Sequence, residues 1–121
     1  MDILMTVFSL GDEGNDTNGS GKTYIAYCFA EKRGYSKFGK YEGDGNTFGP
    51  FIYTGFKPAL IIWKRTDSAN GWIMMDNKRP TVNSVSYDIN PVKYLLEVQS
   101  NAAEATSSSY EVDYLSNGFK I

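Results

Sequence analysis

Histidine is absent from the 121 residues. That removes the usual neutral-pH general base, the commonest zinc ligand and every Ser–His or Cys–His nucleophile pair. Cysteine occurs once, at Cys28, so no intrachain disulfide framework exists. Lying in an apolar stretch, Cys28 reads as a buried, inert thiol rather than a nucleophile or redox sensor. Net charge is only −2, which offers no bulk attraction to nucleic acid or to an anionic membrane. No apolar run approaches about 18 residues, so no membrane span or insertion is expected. The opening MDILMTVF has no basic segment and too short an apolar stretch for a secretory signal.

What is present points to β structure. Twelve glycines, four prolines and 15% aromatics suit an all-β chain with many tight turns. Strand signals recur about every eight to twelve residues, the spacing of a sandwich or barrel. Leu4 to Leu10 reads as a short strand, and Gly11 to Gly21 as a polar loop. Thr23 to Glu31 carries Ile25, Tyr27 and Phe29 on one side and Tyr24, Ala26, Cys28 and Ala30 on the other. A strand apolar on both faces is expected at the centre of a sheet. Tyr35 to Tyr41 is a weaker strand. Phe48 to Tyr53 is another, with Pro50 arguing for a sheet edge or a bulge. Ala59 to Trp63 is the most apolar run and the best candidate for a core strand, its exit marked by Lys64 and Arg65. A hairpin loop, Thr66 to Gly71, leads to a strand over Trp72 to Asp76. Val85, Tyr87 and Ile89 alternate with polar residues as a half-buried strand. Asn90-Pro91 breaks the chain and could cap a helical turn through Leu96. Asn101 to Ser109 reads as irregular, and Tyr110 to Tyr114 as the last full strand. Ser116-Asn117-Gly118 turns that strand into the stub Phe119-Lys120-Ile121.

Candidate chemistry is sparse. The carboxylate pairs Glu42 with Asp44, Glu111 with Asp113 and Asp67 with Asp76 have the residue types of a glycosidase. The first sits on a glycine turn and the second on a solvent face, where solvation accounts for them. Asp12, Glu13, Asn15, Asp16 and Asn18 are hard oxygen donors suited to calcium. Their spacing departs from the alternating calcium-loop pattern, and left-handed turns select the same residues, so no metal or other cofactor is expected. Gly19-Ser20-Gly21-Lys22-Thr23 ends like a phosphate-binding loop, yet its leading position is Asp16 and no strand–loop–helix follows. Trp72 opens a strand directly after a polar loop. Its ring could stack on a sugar while Asp67, Asn70 or Asp76 take hydroxyl hydrogen bonds, although large aromatics are mostly buried. Asp76 and Arg79 lie close enough to pair and fix a loop. Lys40 and Lys57 are too few to make the aromatics from Tyr41 to Phe56 a nucleic-acid platform.

Two long stretches, GFKPALIIWKRTDSANGWIMMD and KYLLEVQSNAAEATSSSYEVDYLSNGFKI, resemble a domain recurrent in marine tailed-bacteriophage proteins. In that pattern a G-F-x-P-x-hydrophobic strand ends in W-x-K or I-K-R. A polar loop, an aromatic-led strand ending in Asp, an N-x-A-E-A-T segment and an S-N-G-F turn follow. The pattern then continues through N-x-S-G-x-T-Y to a hydrophobic strand ending F-A-E. Here that continuation, Asn18 to Glu31, stands before the rest, and GYSKFGKYEGDGN follows directly. The chain therefore reads as one domain over 1–121 in the order of a permuted repeat unit, 1–33 as end-of-copy and 34–121 as start-of-copy. The resemblance implies a virion component of a fibre, appendage or capsid surface, made in the host cytoplasm, and it carries no catalytic residues.

The expectation is an all-β, antiparallel sandwich of eight or nine strands, jelly-roll or lectin-like. It is not expected to be an enzyme. The leading functional reading is a virion structural protein that assembles through β edges with copies of itself or other virion proteins. The other is a lectin-like module holding a host-surface glycan at Asp67, Asn70 and Trp72. Phe8, Leu10, Phe119 and Ile121 are the expected assembly edge. Either the amino-terminal strand closes on the carboxy-terminal stub within one chain, or both reach into neighbouring copies as donated strands do.

Overall fold

The computed structural model describes residues 8–11, 14–79 and 90–121. Seven strands form among them: β1 (Phe51–Tyr53), β2 (Leu60–Lys64), β3 (Trp72–Asp76), β4 (Tyr94–Glu97), β5 (Ala105–Thr106), β6 (Asp113–Leu115) and β7 (Gly118–Lys120). One four-residue helical turn, α1 (Gly14–Thr17), lies in the polar loop. The strands make two antiparallel sheets, one ordered β1-β7-β6 and the other β2-β3-β4-β5. The fold is an all-β sandwich, with seven strands described rather than eight or nine.

Alternation builds the core. In β2 and β3 the inward residues are Ile61, Ile73 and Met75, with Trp63 half-buried beside them, and β4 adds Leu95. The smaller sheet answers with the cross-strand row Ile52–Phe119–Tyr114, and Val92 and Val112 fill between. Full burial of side chains such as Met75 and Val112 stabilises the fold by about 1.5–3 kcal/mol each. The β2–β3 hairpin pairs over its whole length, from Leu60 opposite Asp76 to Lys64 opposite Trp72. The two-residue turn Ser116-Asn117 sets Leu115 opposite Gly118. Gly118 cannot be larger, because a Cβ there would fall on the Ile52 carbonyl oxygen and the Phe51 ring.

The segment 90–92 ties the two sheets together. The Asn90 side-chain amide accepts from the Tyr114 N–H at 2.9 Å and donates to the Tyr114 carbonyl at 3.0 Å. Val92 and Val112 then exchange backbone hydrogen bonds at 2.9 and 3.0 Å. The chain runs from there into β4 of the other sheet.

Several expectations are corrected. Thr23 to Glu31 is not a central strand: its residues are exposed and form no ladder. Cys28 is accordingly exposed rather than buried. Tyr35 to Tyr41 is not a strand either; the backbone bridge from Lys32 to Ser36 makes 33–35 a turn. Among the described strands the apolar run of β2 lies at the edge of its sheet, not at its centre. Asn90-Pro91 leads into β4 instead of a helical turn, since Leu95 has a core face to fill. Pro50 does precede an edge strand. Asn101 to Ser109 is irregular apart from the two residues of β5. The strand expected at Leu4 to Leu10 lies mostly, and that at Val85 to Ile89 wholly, outside the described residues.

Candidate functional site

The β2–β3 loop holds the residues of the glycan reading. Trp72 is 47% exposed, and its backbone N–H is anchored by the Gln99 side-chain oxygen at 2.7 Å. Lys64, its direct cross-strand neighbour, places its ammonium 6.0 Å from the ring centre. One face of the indole is thus attended by a cation, a contact of about 0.5–1 kcal/mol when exposed. Asp67 is gripped by Arg65 through two hydrogen bonds, the longer at 3.0 Å. The hydrogen bond from Arg65 holds the Asp67 carboxyl below the usual range. Asn70 is exposed on the same loop. The loop therefore offers an accessible aromatic ring, but its carboxylate already has a partner.

Three more of the carboxylates considered for hydrolysis, Asp44, Glu111 and Asp76, are tied to partners. Asp44 accepts from the Asn46 N–H at 2.9 Å, and Glu111 pairs with Lys93 at 2.6 Å. Asp76 pairs with Arg79 at 2.6 Å, as its spacing implies, and Arg79 also reaches Glu104, a contact sequence spacing could not reveal. Among the described residues no three potential metal ligands cluster. Of the polar loop, Asp12 and Glu13 lie outside the described residues. No helix among the described residues is long and apolar enough to cross a membrane.

The expected assembly edge is placed differently from its sequence reading. Phe8 and Leu10 are exposed and outside any strand. Phe119 is buried in the core, and Ile121 packs partly against it. Both sides of β7 are taken, by β1 and by β6, so the stub has no free backbone edge. Among the described residues the open edge is β2. Ala59 accepts from the Asn77 N–H, which makes 59–77, 61–75 and 63–73 the hydrogen-bonded pairs of the β2–β3 ladder. The N–H and C=O groups of Leu60, Ile62 and Lys64 then point away from β3, and no described strand lies along that side. Leu60 and Ile62 are 52% and 44% exposed. Periodicity cannot distinguish such a strand from a central one, because apolar faces say nothing of which edge is covered.

The remaining edges are short or closed. β1 has three residues and follows Pro50, β5 has two, and β6 is covered by Asn90 and Val92. A second exposed apolar element lies in the arm before β1. Ile25 and Tyr27 are 81% and 82% exposed, and Phe29, Tyr35 and Phe38 are exposed too. The arm is ordered by its own contacts. The Lys37 ammonium meets the Glu31 carboxylate at 3.0 Å, and the Ser36 hydroxyl donates to the Ala30 carbonyl at 2.6 Å.

No curated protein and no solved structure matches the chain. A domain of unknown function, DUF7483, matches residues 2–121. With nearly its whole length matched, the chain belongs to the DUF7483 family.

Proposed function

We propose that this chain is a non-enzymatic structural domain of a bacteriophage virion, in a capsid decoration or in a tail fibre or appendage, that assembles through its β edges. The observation that carries the assembly reading is β2. A five-residue strand, apolar on both faces, with three residues' worth of outward backbone groups, is the feature that sheet proteins normally cover. Its expected partners are copies of itself or other virion proteins. The virion assignment rests on the resemblance carried by the GFKPALIIWKR and SNGFKI stretches. Sedimentation of the purified chain over a wide concentration range tests the first part. Concentration-dependent multimers are expected, and a strict monomer at high concentration overturns assembly. Mass spectrometry of purified particles tests the second, with the domain expected among particle proteins and its absence overturning the assignment.

The second reading is a lectin-like module for a host-surface glycan, favoured by the half-exposed Trp72 beside the loop that bears Asp67 and Asn70. A glycan array should then show binding that is abolished in Trp72→Ala. No binding to any glycan excludes it.

A further inference from the structure

We propose that residues 23–31 of one copy add as a strand to the open β2 edge of a second copy. The inference rests on the assembly reading and names its donor and its acceptor. Each half is incomplete in the way the other can mend. The acceptor edge offers the backbone groups of Leu60, Ile62 and Lys64, and among the described residues it is the only edge longer than three residues without a neighbour. The donor is nine residues long and lies in none of the described strands, and Ile25, Tyr27 and Phe29 on one side and Ala26, Cys28 and Ala30 on the other are exposed.

The two faces of the donor differ in bulk, which gives the pairing an orientation. Ile25, Tyr27 and Phe29 make a large row; Ala26, Cys28 and Ala30 make a small one. The core side of β2 carries the buried Ile61 and the half-buried Trp63 at the margin of the core. The large row extends that layer. The small row then lies beside Leu60 and Ile62 on the outer face, so that Cys28 neighbours the side chains at 60, 62 or 64. A second copy is the source because residues 23–31 of the same copy form no ladder with β2 and stay exposed. Backbone pairing along such an edge supplies affinity, and alternate side chains supply register.

Cys28 makes the test direct. A donor retaining Cys28 is mixed with a mass-tagged acceptor carrying Cys28→Ser and one of Leu60→Cys, Ile62→Cys or Lys64→Cys, under mild oxidation. A disulfide-linked heterodimer is expected for at least one of the three, since cross-strand Cβ atoms approach to bonding range. No heterodimer at any of the three overturns the proposal. So does a chain carrying both Cys28 and Ile62→Cys that links only to itself. The double variant Tyr27→Asp, Phe29→Asp should keep its β-sheet circular dichroism, both side chains being outside the core, and associate at least about tenfold more weakly; unchanged association overturns the proposal. A chain that multimerises without any of these crosslinks overturns this pairing and leaves assembly standing, whereas a strict monomer overturns both.

Discussion

Tyr114 concentrates the chemistry of the core in one side chain. It is nearly fully buried, its backbone is clasped by Asn90, and its hydroxyl has no hydrogen-bond partner among the described residues. Burial, with the negative charge of Asp76 adding to it, pushes the phenol far above the usual tyrosine range. A pKa raised on folding means stability that is full below the unfolded value, about 10, and is lost as pH rises through the folded one. Tyr114→Phe is therefore expected to be neutral or stabilising by up to about 1 kcal/mol at pH 7 and to resist alkali better, as urea unfolding at pH 7 and above pH 10 would show. Asp76 works in the opposite sense. Partial burial alone would raise its pKa, but hydrogen bonds from Arg79 and the Lys78 N–H outweigh this and hold it below the usual range. Its contribution is present above the unfolded value, about 4, and is lost as pH falls through the lower folded one. Asp76→Asn should cost about 1–2 kcal/mol at pH 7, with the gap to the parent closing in acid unfolding curves.

Among the elements, the β6–β7 hairpin leaves least room for change. Gly118→Ala drives a methyl into the Ile52 carbonyl and the Phe51 ring, and a loss of about 3 kcal/mol or more is expected by thermal denaturation. This hairpin was readable from Ser116-Asn117-Gly118, and the β2–β3 hairpin from its polar loop between apolar runs, because turn chemistry and alternation are local. β5 and the role of 90–92 were not. Asn90 acts through a contact with Tyr114 in another strand, and nothing in its neighbourhood along the chain announces that. The glycan candidates illustrate the same limit. Trp72 was recognisable as a residue able to sit at a rim, but the Arg65 grip on Asp67 and the Lys64 contact with the ring depend on side-chain directions.

For the whole molecule, the sequence pointed correctly to a sandwich and misplaced its most apolar segments. Thr23 to Glu31 and β2 both satisfy the rule for central strands, yet one stands outside the sheets and the other at a margin. Apolar patterning reports that a segment is to be covered; it does not report which molecule covers it. The exposed arm has a plain biochemical signature. Trypsin should cut first after Lys22, Lys32, Arg33, Lys37 and Lys40, all exposed, leaving a resistant fragment that begins at Tyr41, with masses read by spectrometry. Cutting that starts instead within the β2–β3 or β6–β7 hairpins would contradict the division into arm and sandwich.

The clasp of Asn90 on Tyr114 also sets a valence. Under the proposed pairing, with β6 sealed by that amide and by Val92 and with β1 and β5 too short to hold a long strand, each copy would have among its described residues one arm to give and one edge to receive. Units of that kind join into pairs, rings or unbranched filaments. Such units do not branch into a mesh, so under that pairing the asparagine amide would help confine the assembly to one dimension.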